Sequence, residues 1–280
     1  MSTAPATTDS PPHQPSPATE TVRRHRSRPA DAVVSTVATV ILLVLVATVI
    51  EIGAQAGWWR ASTLPAPSTM AAGLGQLLGE MQFWADAGRT GLEVGLSVVF
   101  GSLFGLLAGL VFWKLPTVGR VFEPYLVSFY AVPMVLFYPV MIVLVGINAT
   151  SVVILATIMS MIPVALNTTV GLNGIRPVYL KLARSLQCRP HQMLFSIALP
   201  AAAPFIVAGL RLGVVYALIG SIAMEFTTAQ AGLGYRIRYL YEIFDSSTMY
   251  SYILVVLLLS VALTALLALV ERMVVKGRSA

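Results

Sequence analysis

The chain has 280 residues and a net charge of +6, and 57% of its residues are hydrophobic while only 11% are charged. An ordinary soluble domain has about 25% charged residues, and a mean hydropathy of +0.81 implies more apolar surface than such a domain can bury. The composition therefore excludes a soluble globular protein and predicts an integral membrane protein.

Residues 1–30 are rich in Pro, Ser and Thr and poor in large apolar side chains, which predicts a disordered cytoplasmic tail. The first apolar run starts beyond residue 30, is long enough to cross a bilayer, and is followed by similar runs. We therefore interpret it as an uncleaved first helix rather than a signal peptide. The chain then divides into a tail, 1–30, and a transmembrane domain, 31–280.

A bilayer core about 30 Å thick requires about 20 apolar residues in a helix. Six nearly uncharged runs have this length, about twice that of a barrel strand. Since only helices and closed barrels satisfy every backbone hydrogen bond in lipid, we predict an all-α polytopic membrane protein. Pro133, Pro139 and Pro163 predict kinks in the third and fourth spans. The predicted spans are 32–50, 92–113, 126–147, 151–172, 205–227 and 250–270.

The basic residues are unevenly distributed between the connecting segments. With a cytoplasmic N-terminus, 13 Lys and Arg residues lie on the cytoplasmic side and 4 on the outer side. Because basic residues are enriched in cytoplasmic loops, we predict a multi-pass protein of the cytoplasmic (inner) membrane with both termini in the cytoplasm. The same asymmetry explains the positive net charge, so the expected partner is the lipid bilayer and not a nucleic acid.

Small residues recur along the second span at the spacing that lets helix backbones approach closely. Packing within one chain is the simpler interpretation of this pattern, and a dimerisation face is the alternative. The glycines concerned are Gly91, Gly95, Gly101, Gly105 and Gly109.

Three ionisable residues fall within predicted spans, where each needs a partner, a wet cavity or a function. Arg211 is near the cytoplasmic end of the fifth span, from which its side chain can reach the lipid headgroups. Glu93 and Glu225 are near the outer ends of their spans. For these two acids, hydrogen bonding between helices competes with lining a solute path.

Enzyme motifs are missing from the sequence. No G-x-x-x-x-G-K-[ST] phosphate loop occurs, since none of the three lysines follows a glycine-rich turn. Two of the three histidines fall in the tail and Cys188 is the only cysteine, so we expect neither a metal site nor a catalytic cluster. We therefore predict a protein that is not an enzyme, with no catalytic residues and no cofactor of its own.

The longest cytoplasmic connection, residues 173–204, carries an amphipathic pattern. Val178, Leu182 and Leu186 recur on one face of a predicted helix. Pro190 then separates a second short apolar helix, which we expect to end near residues 199–200. A short amphipathic helix of this kind suits docking on a soluble partner, and a helix lying on anionic lipid is the alternative.

This loop resembles that of binding-protein-dependent ABC importer permeases, which carry E-A-A, three residues, G, nine residues and I-x-L-P. With residues 197–200 (IALP) on the end of that pattern, residues 181–183 (KLA) fall on E-A-A and Gln187 falls on the glycine. Three further segments resemble the nitrate/sulfonate/taurine-type branch: VPMVLFYPVMIVLVGI, LPAAAPFIVAGLRLGVVYALIGSIAMEF and the GLGY of residues 232–235.

The resemblance implies a type I ABC importer permease that pairs as a homodimer, with an ATPase dimer in the cytoplasm and a solute-binding protein outside. ATP would bind to the partner subunits, and the loop helix would transmit their closure to the membrane bundle. The implied ATPase-coupling residues are Leu180, Lys181, Leu182, Ala183, Arg184, Ser185, Leu186, Gln187, Cys188 and Arg189.

Span position alone suggests Tyr138, Met141 and Glu225 as residues beside the solute path. The alternative function is an ion- or proton-coupled secondary transporter, which requires coupling acids deep in the membrane. A purely structural membrane scaffold is a third possibility. The substrate stays open between sulfonates, nitrate, aromatic acids and thiamine precursors, because specificity in the branch that the chain resembles resides largely in the binding protein.

Overall fold

The computed structural model describes residues 29–60 and 62–276, so the tail predicted at 1–30 lies outside it except for its last two residues. Every regular element in the described chain is helical, which confirms the all-α class. The helices are α1 (Pro29–Gln55), α2 (Pro67–Leu77), α3 (Met81–Lys114), α4 (Pro116–Ala131), α5 (Tyr138–Val145), α6 (Ala149–Asn173), α7 (Pro177–Ser185), α8 (Pro190–Met193), α9 (Leu199–Thr228), α10 (Leu233–Glu242) and α11 (Ser246–Lys276).

The chain divides into two compact units, one up to Val49 and one from Ile50 onward. The first unit contains most of α1, whose side chains over 37–49 are all exposed. Because these side chains are uncharged and, apart from two threonines, apolar, this part of α1 has the surface of a helix that faces lipid. All packing described below lies within the second unit.

In the described part of the chain, five helical segments are long and apolar enough to cross a membrane, and they contain α1, α3, α6, α9 and α11. The third predicted span, 126–147, is not a continuous helix. The helix α4 ends at Ala131, Val132 is extended, and a 3₁₀ turn at Met134–Phe137 precedes α5. Pro133 explains the break, since it has no N–H and disfavours helical geometry at the residue before it.

The helix α6 forms the centre of the bundle and packs between α3 and α9. A Cβ on Gly105 of α3 would lie 2.6 Å from Val164 of α6, and Gly101 and Gly109 face Ser160 and Thr168 in the same way. These three glycines therefore serve packing within the chain. The other two, Gly91 and Gly95, have open space beside them and line an apolar crevice of about 340 Å³ between α3, α9 and α11.

Residues 190–228 are helical without interruption, so the prediction that the second loop helix ends near residues 199–200 is wrong. A π-helical segment, Leu194–Ala198, joins α8 to α9, and Pro200 lies in the first turn of α9. The wider π-helical turn directly precedes the proline, where the regular hydrogen-bond pattern must change. The connection of residues 173–204 thus leads directly into α9, which is long and apolar enough to cross a membrane.

Candidate functional site

The helix α7, on the connection of residues 173–204, is fixed to the bundle by one of its faces. Ala183 is only 1% exposed. Leu180, one turn earlier on the same face, packs against a buried cluster formed by residues of α6, the turn after α6, the π-helical segment and α9. The cluster consists of Leu172, Ile175, Leu194, Ala198 and Ala202. Apolar burial at positions three residues apart therefore sets the orientation of α7.

The opposite face of α7 is apolar and exposed. Val178, Leu182 and Leu186 are 68%, 53% and 66% exposed, and Lys181 is exposed beside them. The three side chains that the sequence places on one face all project away from the bundle. The hydroxyl group of Ser185 donates a hydrogen bond to the Lys181 carbonyl at 3.1 Å, and the Arg184 side chain lies outside the described part of the structure.

The end of α7 depends on a residue in the left-handed region. Gln187 has a φ of 51°, and the Cys188 N–H donates to the carbonyl of Ala183 at 3.0 Å. Such helix ends normally use glycine, which has no Cβ to strain. Gln187 stands at the glycine position of the pattern that the loop resembles, so the structure explains why that position favours glycine. Arg189 follows as the N-cap of α8 and donates its N–H to Gln192 Oε1 at 2.9 Å.

Two of the three residues predicted beside the solute path lie together. Tyr138 is 1% exposed and packs with Met224 of α9, and Met141 packs against the same cluster. The Tyr138 hydroxyl group is buried and has no hydrogen-bond partner among the described residues. Glu225 follows Met224 in the chain, but its side chain contacts α3 and α10 instead.

Glu225 is fully buried and joins three helices. Its carboxylate accepts a hydrogen bond from the Thr90 hydroxyl group of α3 at 2.7 Å and from the Gly234 N–H of α10 at 2.8 Å. Thr90 Oγ1 in turn accepts from the Leu233 N–H at 2.9 Å. Hydrogen bonding between helices, one of the two alternatives for this acid, therefore describes its position in the structure.

Two ion pairs flank this centre. Asp86 of α3 is 2% exposed and pairs with Arg236 of α10 at 2.8 Å. Glu93, two turns further along α3, is fully buried, and its Oε1 accepts from Arg89 Nε at 2.5 Å. We call the group of Asp86, Arg89, Thr90, Glu93, Glu225 and Arg236, with the backbone of residues 232–234, the polar cluster.

The Gly-Leu-Gly sequence at residues 232–234 is required by this packing. Gly232 has a φ of +107°, and a Cβ there would overlap the Glu225 carboxylate. A Cβ on Gly234 would lie 2.5 Å from the Ile222 carbonyl oxygen. Both glycines therefore let the start of α10 approach Glu225 closely enough for its N–H groups to donate.

The sequence alone did not identify Asp86, Thr90 and Arg236 as partners in this cluster. Thr90 and Glu225 are 135 residues apart, and Asp86 and Arg236 are 150 residues apart, so no local periodicity links them. The available signal was the pair of glycines that follows an intramembrane acid, because closely spaced glycines indicate close backbone approach.

Comparison with known proteins places this geometry in a family. Residues 101–276 match the family model of the binding-protein-dependent transport system inner membrane component. The chain is 27% identical over 194 residues to the taurine transport system permease protein TauC of Escherichia coli, covering 65% of this chain and 70% of TauC. It is 24% identical over 219 residues to the putative aliphatic sulfonates transport permease protein SsuC of Bacillus subtilis, covering 78% and 79%.

A third relative is the nitrate import permease protein NrtB of Synechococcus elongatus, 27% identical over 143 residues and covering 51% of each chain. Among solved structures, inward-facing conformations of the MetNI methionine ABC transporter include a chain with the same fold, with a TM-score of 0.62 and 19% identity. That likeness covers 70% of this chain and 98% of the other. Since the family model matches more than half of the sequence, the chain belongs to the binding-protein-dependent transport system inner membrane components, in the nitrate/sulfonate/taurine branch. It is a multi-pass inner-membrane permease subunit of an ABC importer, which works with a separate ATPase subunit and a substrate-binding protein.

Proposed function

We propose that two copies of this permease form the path for a small anionic solute and that α7 is the element on which the ATPase acts. The observation that carries the proposal is the orientation of α7. Its Leu180 and Ala183 side chains are held by the bundle, while Val178, Leu182 and Leu186 project outward. A helix fixed on one side and apolar on the other can transfer a movement of its partner to the bundle.

The residues on both sides of this surface support the same assignment. Lys181 lies on the exposed side of α7, and Cys188 lies partly exposed just beyond its end. We propose that residues 180–189 are the coupling segment, with Leu180 and Ala183 acting toward the bundle and the exposed residues acting toward the ATPase.

The docking role is tested by cross-linking and charge reversal in the assembled transporter. We expect Cys188 to cross-link to a cysteine introduced in the ATPase groove, and Lys181→Glu to change transport-coupled ATPase activity. Lys114→Glu, which alters another exposed lysine at the end of α3, is the matched control and leaves the coupled activity unchanged. An active complex that gives no cross-link and does not respond to Lys181→Glu would rule out this docking mode.

We further propose that the path runs beside the break between α4 and α5, near Tyr138 and Met141. Interrupted backbone at membrane depth is tolerated where protein covers it or where it lines a wet cavity, and broken helices mark solute sites in other transporters. Leu136 and Val143 are 69% and 85% exposed on this segment, which leaves an apolar surface for a second copy. In this arrangement, Glu225 supports the outer end of α9.

The homodimer is tested with single cysteines in a Cys188→Ser background. We expect Val143→Cys to form a disulfide between two copies in membranes. Leu266→Cys on α11, 57% exposed and equally apolar, is the matched control and stays monomeric. Equal cross-linking at both positions, or none at Val143→Cys in an active transporter, would place the interface elsewhere.

An anionic solute is consistent with the position of the acids. Glu93 and Glu225 are both fully buried in the polar cluster, so neither presents its charge to a passing solute. The names of three relatives refer to taurine, aliphatic sulfonates and nitrate. Calorimetry of the cognate binding protein with sulfonates, nitrate, aromatic acids and vitamin precursors tests the class. Binding confined to neutral vitamin precursors would contradict the proposed anion.

The orientation with both termini in the cytoplasm, and with residues 1–30 as a cytoplasmic tail before the domain at 31–280, is part of the same proposal. It is supported by the 13 to 4 distribution of Lys and Arg between the two sides. Protease digestion of sealed inner-membrane vesicles tests it. Removal of the tail only when the cytoplasmic face is outward is the expected result.

A further inference from the structure

Two carboxyl groups meet in the middle of the polar cluster. Glu93 of α3 and Glu225 of α9 are both 0% exposed, and the Glu93 carboxyl group lies close enough to act electrostatically on Glu225. Thr90, one turn before Glu93 on α3, donates to the Glu225 carboxylate. Glu93 Oε2 is buried and receives no hydrogen bond from any described donor. An unpartnered acceptor beside a second carboxyl group is an unfavourable arrangement when both groups are ionised.

The hydrogen-bond donors around Glu93 and Glu225 do not bind the unpartnered oxygen of Glu93. Thr90 has one hydroxyl proton to donate, and its Oγ1 lies 2.7 Å from Glu225 Oε1 and 2.9 Å from Oε2, while the Gly234 N–H donates to Oε2. The Arg89 guanidinium reaches only Glu93 Oε1. No described donor therefore places a proton between the two carboxyl groups.

The charges of the polar cluster are also unbalanced when every ionisable group is charged. It contains three buried carboxyl groups, Asp86, Glu93 and Glu225, and two guanidinium groups, Arg89 and Arg236. Arg236 pairs with Asp86 and Arg89 pairs with Glu93, while Glu225 forms no ion pair with any described residue. A buried carboxylate without a counter-ion is strongly disfavoured, and such a group takes up a proton instead.

The other ionisable groups near the cluster do not change this balance. Tyr252 of α11 faces Arg236 and Asp86, with Glu80 beyond it. Arg238 of α10 binds the carbonyl groups of Thr227 and Ala229. The helix α6, which packs against both α3 and α9, contains no ionisable residue in its sequence. Among the described residues, Arg89 is therefore the only basic residue that forms an ion pair with either glutamate.

We propose that Glu93 and Glu225 form a buried proton-binding site, in which one proton bridges Glu93 Oε2 and the carboxyl group of Glu225. The proton supplies the missing donor between the two groups and makes the polar cluster electrically neutral. Because the carboxyl groups of the unfolded chain are already ionised at neutral pH, the folded protein binds one more proton there than the unfolded chain, and its stability falls as the pH rises further.

Infrared spectroscopy of the purified permease–ATPase complex tests the site directly. We expect the C=O stretching band of a protonated carboxylic acid at neutral pH, with a shift in D₂O when the proton exchanges. The band disappears in Glu93→Gln and in Glu225→Gln. It remains in the control Glu242→Gln, which changes an exposed acid on α10. Absence of the band from the wild-type complex would overturn the proposal, whether or not the variants fold.

Thermal unfolding at increasing pH provides the second measurement. Glutamine keeps the shape of the carboxyl group and donates one hydrogen bond without titrating. We therefore expect Glu225→Gln to lose the decline in melting temperature at high pH that the wild type and Glu242→Gln show. Identical pH responses in all three proteins would contradict the site, as would a sodium-dependent rise in melting temperature, which would indicate a metal cation in place of the proton.

Discussion

The N–H of Cys188 donates to the carbonyl oxygen of Ala183 at 3.0 Å and so closes the end of α7 across Gln187. Gln187 adopts a φ of 51° to permit this hydrogen bond. Left-handed geometry costs an ordinary residue about 1–2 kcal/mol relative to glycine. We therefore expect Gln187→Gly to raise the melting temperature of the complex, through a gain of about 1 kcal/mol.

The matched change is Ser185→Gly, two residues earlier and still within α7. There glycine loses conformational freedom without relieving strain, so the melting temperature is expected to fall by an amount equivalent to about 1 kcal/mol. If both glycine variants shift the melting temperature in the same direction, the left-handed backbone of Gln187 is not a source of strain that glycine relieves.

The start of α10 is expected to be intolerant of any side chain. Gly234→Ala would bring a Cβ to 2.5 Å from the Ile222 carbonyl oxygen and 2.7 Å from Glu225 Cβ, so α10 must move away from α9. We expect a clear loss of folded permease on size-exclusion chromatography and a loss of transport. Gly75→Ala in α2, where a Cβ meets nothing within 4 Å, should stay folded and gain up to about 1 kcal/mol.

The glycines of α3 should separate into two groups. At Gly105 a Cβ would meet the Val164 side chain at 2.6 Å and the Met161 carbonyl at 2.7 Å, so Gly105→Ala is expected to destabilise the monomer in detergent. At Gly91 the space is open, and Gly91→Ala should leave the monomer unchanged. The melting temperatures of the two variants show whether the close packing of α3 on α6 requires glycine at position 105. Equal tolerance would contradict the α3–α6 contact.

Breaking the ion pair between Asp86 and Arg236 should be costly. Arg236→Met leaves a buried carboxylate without its counter-ion, and such losses amount to about 3–5 kcal/mol. The contact between Arg238 and Glu242 is 3.6 Å long and Glu242 is 62% exposed, so Glu242→Gln should cost less than about 1 kcal/mol. Denaturation of both variants in detergent gives the comparison. A mild effect of Arg236→Met would show that Asp86 finds another partner or a proton.

The long uncharged runs predicted α1, α3, α6, α9 and α11 because lipid imposes one local requirement, an apolar helix of sufficient length. The break at Pro133 was predicted only as a kink, since the sequence does not show whether neighbouring helices can hold an interrupted segment. Pro200 was predicted to end a helix, but the π-helical turn before it lets the helix continue. In both cases packing in three dimensions determined the effect of a proline.

The orientation of α7 was predictable because its pattern is local. The exposed face of α7 follows from residues three or four positions apart, and the structure orients Val178, Leu182 and Leu186 as that spacing requires. The polar cluster was not predictable in the same way. Its members come from α3, α9 and α10, and only the fold brings Thr90 to Glu225.

The helix α9 connects the surroundings of α7 to the polar cluster. Its 30 residues span about 45 Å at 1.5 Å per residue. Leu199 at one end packs into the cluster that holds Leu180 of α7, and Glu225 lies within one turn of the other end. By simple lever geometry, a tilt of about 10° around the midpoint would move each end by about 4 Å, more than the length of any hydrogen bond in the polar cluster. A small rocking movement of α9, imposed through α7 as proposed above, would therefore be large enough to pull the contacts of Glu225 apart.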